Sequence, residues 1–347
     1  MKSARLALVG LGNVGRRVLD LLADHKDQLR RRHELEFTVH CVADSSGIAA
    51  SDTGFNIRKL SDLKRTGGQL AELPEYGDDL MLEEALERTR CQILLEASPV
   101  NLKTGGPGLR NSRIALERGI DLVLANKSPL ALAQQELADL CDKTGAGMLC
   151  SATFCGGLPV LNVIRRDMVC GTVTGIRGIF NGTTNFMLKE LLDGRHYDDA
   201  LRQAQDIGAA EADPTLDVGG WDTAAKLVIA TNTFKNPMIS ISDVSVTGIE
   251  NVGTAELERC RHEQNNLKLI ASAECIDDAW SFTVEPRPVP FDSFLGGCNG
   301  WEMAVEVDTD IYGKSFYKLW EREPVPTAAS MLRDAVHLAH RASMPAR

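Results

Sequence analysis

The chain has 347 residues, 25% of them charged and 44% hydrophobic, with a formal net charge of −10 at pH 7. That length can bury a core for two domains, and the composition is that of a globular protein. The acidic balance argues against a nucleic-acid partner, which would call for a basic patch, and no apolar run reaches membrane-span length. A small-molecule ligand is compatible with both.

The start of the chain, Met-Lys-Ser-Ala-Arg, runs directly into Leu6-Ala-Leu-Val9, which is too short for a signal peptide and reads as a first strand. The nine cysteines are scattered, odd in number and without a Cys-x-x-Cys pair. They point to free thiols in a reducing cytoplasm rather than a disulfide framework. No histidine–cysteine spacing suggests a metal site. His337 and His340, which share a helix face, read as surface or packing residues.

The first strand leads into Gly10-Leu-Gly-Asn-Val-Gly15, and Val14, Val18, Leu21 and Leu22 then follow at helical spacing. Strand, glycine turn and helix together form a dinucleotide-binding fingerprint. Gly10 allows the tight turn, Gly12 lets the backbone approach a pyrophosphate, and Gly15 lets helix and strand pack closely. The helix N-terminus offers its N–H groups to phosphate, with Asn13 and Val14 at the contact. A second strand over 36–43 ends in Asp44, where a carboxylate commonly bonds the adenosine ribose and so favours NAD. Ser45, Ser46, Arg58 and Lys59 would suit a 2′-phosphate, so NAD and NADP both stay open.

Cys91–Ala97 reads as a buried strand ending at Ser98-Pro99. A glycine-rich loop over 103–108 and a helix ending at Gly119 follow. Asp121–Ala125 is the next strand, closed by Asn126-Lys127-Ser128-Pro129. Alternating strands and helices imply a parallel sheet with ligands at the carboxyl ends of its strands. Ser98, Asn126 and Lys127 occupy such ends. The first two are assigned to the cofactor, and Lys127 to a role in the site.

Met148–Cys150 is read as a last strand, and Pro159 as the start of a helix after Gly156-Gly157. Thr172–Phe180 reads as a strand running into Asn181-Gly-Thr-Thr-Asn185, a turn by its Asn-Gly pair, with a helix from about Phe186 to Leu192. The segment's hydroxyls and amides suit a polar ligand. Asp213-Pro214 breaks a helix ending near Ala210, Gly219-Gly220 allows a sharp turn, and a helix spans about 222–231. In it Asp222 and Lys226 share one face. With Glu211, Asp213 and Asp217 they gather carboxylates around one ammonium. Such a group can hold a substrate amine and move a proton as hydride transfers.

This segment resembles the signature of the homoserine dehydrogenase family through Gly208, Asp213-Pro214, Asp217, Gly220, Asp222 and Lys226. Further matching pieces occur in the family's order: Gly10 to Gly15, Ala125-Asn126-Lys127, Gly157-Leu-Pro159, Asn181-Gly-Thr-Thr-Asn185 and Pro326-Thr-Ala328. The resemblance is to the stand-alone form, without an aspartate kinase region. It implies a Rossmann-type parallel-sheet nucleotide domain over 1–150, completed by a C-terminal helix within 327–347, and a second α+β domain over 151–326 for substrate binding and dimerisation. It also implies reversible reduction of L-aspartate 4-semialdehyde to L-homoserine with NAD or NADP. Carried over, Glu211 and Asp217 hold the substrate's amino end and Thr183 lies at its pocket. Asp222 and Lys226 bond the reacting oxygen, and Lys127 is a second proton-transfer lysine. A homodimer is the family's usual assembly.

Three stretches depart from the family pattern. Ser151 stands where a glutamate commonly serves a monovalent cation. Phe154-Cys155 replaces Val-Gly near the expected nicotinamide. Tyr317–Pro324 lacks the usual Gly-Ala-Gly turn. These departures keep two alternatives in view, a related dehydrogenase of another small hydroxy acid or hydroxy amino acid, and a non-catalytic dinucleotide-binding protein.

Overall fold

The computed structural model describes residues 1–207, 210 and 213–341. Gly208 and Glu211, both used in the sequence argument, lie outside the described residues. The chain divides into two compact units, Met1–Gly157 with Pro324–Arg347, and Leu158–Glu323.

Among the described residues the first unit holds seven strands: β1 (Lys2–Val9), β2 (Leu35–Asp44), β3 (Gly47–Ala50), β4 (Tyr76–Gly77), β5 (Ile93–Glu96), β6 (Asp121–Leu124) and β7 (Met148–Leu149). Their order is β4-β3-β2-β1-β5-β6-β7. β1 pairs in parallel with β2 and β5, and β6 continues the parallel run to β7, while β3 and β4 add an antiparallel edge. β1 and β5 are nearly continuous buried runs because helices cover both faces of a parallel sheet. The chain leaves β1 toward β2 on one side and resumes at β5 on the other. The carboxyl ends of β1 and β5 therefore form a topological switch point, the usual place for a ligand.

The first helix, Asn13–Asp24, buries Gly15, Val18, Leu19 and Leu22. The C-terminal helix, Val325–Arg341, sends Ala328, Met331, Leu332 and Ala335 into the same core as Leu6, Leu8 and Val18. Burial of that apolar stripe explains why the chain returns to this unit.

The second unit contains β8 (Val173–Ile179), β9 (Ser245–Val246), β10 (Asn265–Ile276), β11 (Ala279–Pro290), β12 (Glu302–Thr309) and β13 (Gly313–Trp320), in the order β13-β12-β8-β10-β11-β9. β8 lies antiparallel to both β10 and β12. The β10–β11 hairpin turns at Asp277 and Asp278, both at positive φ (50° and 64°). Two left-handed residues give the turn the twist its strands need, and aspartate tolerates that conformation. The helices Gly182–Leu192, Trp221–Thr231 and Thr254–His262 pack on β10. The fold is the α/β class expected from the sequence, a Rossmann-type sheet followed by an α+β unit.

One local expectation is corrected. Asn181-Gly182 is no turn. Asn181 is the N-cap of the helix Gly182–Leu192, and its Oδ1 accepts the Thr184 amide at 2.9 Å. Asparagine favours both positions, and the apolar residues after Phe186 settle the choice by giving the helix a face to bury.

Candidate active site

In the first unit Gly10 adopts φ 92°, and a Cβ there would lie 2.3 Å from the carbonyl carbon of Ala97. A Cβ on Gly15 would lie 1.9 Å from the Gly10 oxygen. Both positions therefore exclude any side chain. Gly12 differs: it is the helix N-cap, makes no side-chain cap bond, and its missing Cβ faces open space. The first turn carries no acidic residue. Asn13 is exposed and its Oδ1 accepts from Arg16 at 2.9 Å, while Val14 packs partly against the core. Uncapped helix amides behind an open glycine fit the pyrophosphate of a dinucleotide.

Asp44 ends β2 as expected. Its Oδ1 accepts the Ser46 amide at 2.8 Å and the Ser46 hydroxyl, and its Oδ2 lies 2.8 Å from Lys64 Nζ. Burial opposes its charge, yet the bonds from Lys64 and Ser46 hold the carboxyl below the ordinary aspartate value. Arg58, proposed from sequence for a 2′-phosphate, instead holds Asp24 at 2.6 Å, because the helix Ile57–Arg65 packs against Asn13–Asp24. The backbone amide of Lys59 serves the Asn56 cap.

The ends of β5 and β6 are joined by side chains. Asn126 Nδ2 donates to Ser98 Oγ at 3.2 Å and to the Pro99 carbonyl at 3.1 Å, and its Oδ1 accepts the Ser128 amide at 2.9 Å. Lys127 lies between Asn126 and Ser128, as N-cap of the helix Ser128–Thr144. Ser98 in turn donates its amide, at 2.7 Å, and its hydroxyl to Glu96. Burial pushes the Glu96 carboxyl up, against the bonds from Ser98, Asn111 and Asn126.

In the second unit two of the expected carboxylates, Asp217 and Asp222, come together with Lys226, while Asp213 Oδ1 accepts the Thr215 amide and hydroxyl and Glu211 lies outside the described residues. Gly220 at φ 80° caps the helix Trp221–Thr231 and places Asp222 in its first turn, where the helix dipole favours a negative charge. Lys226 Nζ lies 2.8 Å from Asp222 Oδ2 and donates to the Phe180 carbonyl at 2.7 Å. Asn181 Nδ2 donates to Asp217 Oδ1 at 2.7 Å and to Asp222 Oδ2 at 2.9 Å. Thr183 sits in the first turn of the helix that Asn181 caps, and is mostly buried. That turn is anchored at its far end by Asn185. Its Nδ2 donates to the Gly300 and Glu302 carbonyls at 3.0 and 3.1 Å, and its Oδ1 accepts from buried Lys268 at 2.8 Å. Desolvation pushes the Lys268 ammonium down to about 8.

Sequence reasoning picked Thr183 from this segment and passed over Asn181. The signal was there in the cap-forming asparagine ahead of a helix, but its carboxylate partners lie 36 and 41 residues away.

The match to known proteins is broad. The homoserine dehydrogenase family model matches residues 159–336. The chain is 32% identical to homoserine dehydrogenase of Methanocaldococcus jannaschii, over 96% of this chain and 98% of that one. This chain belongs to the homoserine dehydrogenase family. It is also 32% identical to the NAD(+)-dependent homoserine dehydrogenase of Pseudomonas canavaninivorans, over 97% of each. A solved putative homoserine dehydrogenase from Archaeoglobus fulgidus superposes with a TM-score of 0.85 at 31% identity, covering 97% of this chain and 99% of that one. A hyperthermophilic archaeal homoserine dehydrogenase solved with NADPH has the same fold, with a TM-score of 0.84 at 24% identity over 99% of each chain.

As a homoserine dehydrogenase family member, the chain is an NAD(P)-dependent oxidoreductase acting on a CH–OH group. Its departures from the family pattern have physical settings. Ser151 donates its amide and hydroxyl to Asp334 of the C-terminal helix, both at 2.7 Å. Phe154 and Cys155 are fully buried, and Cys155 holds φ 46°, a conformation that suits glycine better. Tyr317–Trp320 completes β13, and a strand paired along its length needs no glycine turn. Among the described residues no cluster of metal-ligating side chains occurs, and all nine cysteines are free thiols.

Proposed function

We propose that the chain interconverts L-homoserine and L-aspartate 4-semialdehyde with NAD or NADP. The observation that carries this reading is the constellation of Asp217, Asn181, Asp222 and Lys226, a semi-buried lysine and two carboxylates held by one amide.

The bound dinucleotide supplies or accepts the hydride. Lys226 and Asp222 bond the reacting oxygen, so that as the carbinol carbon gives up its hydride to the nicotinamide that would be bound beside it, the hydroxyl proton passes to the neutral amine of Lys226. In the reverse direction the ammonium returns a proton to the carbonyl oxygen. Asp217, with Glu211, holds the substrate's amino group, because carboxylates pair with an ammonium. Thr183 lines the substrate pocket. Lys127 is the second proton-transfer lysine. Gly10, Gly12, Asn13, Val14 and Gly15 receive the pyrophosphate, Asp44 the adenosine ribose, and Ser98 and Asn126 the remainder of the cofactor. On this reading 1–150 with the C-terminal segment is the nucleotide domain, and 151–326 is the substrate and dimerisation domain.

We further propose a homodimer formed through the second unit. β13 is an edge strand, and Phe316 and Trp320 stand 51% and 61% exposed on it. An unpaired edge with aromatic side chains favours a partner. A cytoplasmic location agrees with the free thiols and with the finding that no described helix is long and apolar enough to cross a membrane.

The test is dinucleotide reduction by L-homoserine, run beside other small hydroxy acids and hydroxy amino acids. Turnover strongest on L-homoserine supports the reading. Turnover on another hydroxy acid alone overturns it.

A further inference from the structure

Glu96 ends β5 with no exposed surface, and among the described residues no cation bonds to it. Every bond it makes is a donation to it. Ser98 gives its amide and hydroxyl to Oε1, and Asn111, from the helix Gly106–Glu117, gives Nδ2 to Oε2 at 2.9 Å. Burying a carboxyl group without a counter-charge is costly. A parallel strand covered on both faces would be completed more cheaply by an apolar residue, so the strand itself gives no reason for this side chain.

What the carboxyl group does is orient a chain of donors. With its proton directed at Glu96, Ser98 Oγ is left as the acceptor for Asn126 Nδ2 at 3.2 Å. Asn126 is thereby fixed with Oδ1 toward the Ser128 amide at 2.9 Å, and Ser128 Oγ accepts the Asn101 amide at 2.7 Å. Asn126 and Ser128 are buried and flank Lys127. A Cβ on Gly108 would come within 2.2 Å of Asn126 Nδ2, so the asparagine is also packed tightly from the helix side. One carboxyl group thus sets the hydrogen-bond polarity across the ends of two adjacent strands and the helix that follows.

We propose that Glu96 is a positioning residue for the cofactor edge of the nucleotide unit. It fixes Ser98 and Asn126 and, through them, the backbone that carries Lys127. The inference rests on the reading of Ser98 and Asn126 as cofactor contacts.

Binding of NADH and NADPH to the substrate-free protein, followed by dinucleotide fluorescence, tests it together with the thermal midpoint. Glu96→Gln keeps the shape and turns one acceptor oxygen into a donor. It should weaken dinucleotide binding about tenfold, the effect of losing a charge-assisted hydrogen bond. The midpoint should fall by roughly 5 °C or less, because the new amide N–H faces a site that offers only donors while the shape of the side chain is kept. The KM for dinucleotide should rise with it, and the KM for L-homoserine should stay within about twofold. Asn111→Ala removes one donor to Glu96 and leaves the Ser98 and Asn126 side chains in place. It should weaken binding about threefold, as expected for a modest net loss of one hydrogen bond, and it decides the matter if Glu96→Gln does not fold. Unaltered affinity in the folded variants overturns the proposal. Ser98→Ala separates the two claims. If it leaves affinity unaltered, the cofactor-contact reading fails; if it weakens binding and Glu96→Gln does not, only the positioning role fails.

Discussion

Lys226 Nζ and Asp222 Oδ2 lie 2.8 Å apart on consecutive turns of one helix, with both side chains 12% exposed. An exposed pair at this spacing would contribute a few tenths of a kcal/mol. Here the pair is mostly out of solvent, and Lys226 also donates to the Phe180 carbonyl while Asp222 also accepts from Asn181. The lysine is thereby held as a localised donor in a dry environment, where a proton donor has its greatest effect on a reacting oxygen.

Asn181 does two jobs that a substitution can separate. Asn181→Asp keeps the helix cap, since aspartate caps equally well. It removes both N–H donations to Asp217 and Asp222 and brings a third carboxylate beside them. The thermal midpoint is expected to change little, and kcat/KM for L-homoserine to fall about 100-fold or more, the scale of a displaced proton-transfer group. Steady-state kinetics and calorimetry on the same sample check this. Unchanged kinetics in the folded variant would mean that Asn181 is only a cap.

On the proposed reading Asp44 holds the adenosine ribose. Asp44→Ala should weaken NAD about tenfold, from the loss of charge-assisted bonds to ribose hydroxyls. It should weaken NADP less, because the carboxylate repels a 2′-phosphate and its removal relieves that repulsion. Titration of both dinucleotides against the variant measures the difference. An equal effect on both would remove the ribose assignment.

His40 sets an acid limit to stability. It is buried within β2, with Nδ1 2.8 Å from the Ser51 carbonyl and Nε2 3.0 Å from Thr38 Oγ1. Burial holds its pKa below the ordinary histidine value, against the Ser51 bond that raises it. With a lowered folded pKa, the neutral ring's contribution is whole above about pH 6.5, the unfolded value. It is lost as pH falls from there toward the folded value. The thermal midpoint should therefore drop between about pH 7 and 5, and His40→Gln should flatten that slope. Equal slopes in both proteins would assign the acid sensitivity elsewhere.

The nucleotide unit was largely legible in the sequence because its signals are local. Gly10, Gly12 and Gly15 fall in one strand–turn–helix, although the contact that excludes a side chain at Gly10 is with the distant Ala97; Asp222 and Lys226, in the other unit, answer to a single helical repeat. Of the second sheet only β8 was legible, as the strand read over 172–180. β12 buries Met303 through Val307 in succession, including Glu306, so its pattern shows no alternation to read. The short edge strands β3 and β4 give too few residues for a period to appear. Asn181 and Glu96 escaped for another reason. An asparagine before a helix looks like a cap, and a glutamate at the end of an apolar strand looks like its boundary. Only long-range contacts, to Asp217 and Asp222 in one case and to Asn111 in the other, give them a further role.

The most direct test of the site is to compare Lys226→Ala with the parent protein in two assays on the same preparation, L-homoserine oxidation and dinucleotide binding. The account predicts that turnover falls by roughly 100-fold or more while dinucleotide affinity stays within about twofold, because on this reading Lys226 serves the reacting oxygen and not the dinucleotide. Turnover retained with dinucleotide binding lost would contradict it, and would place Lys226 in cofactor binding instead of proton transfer.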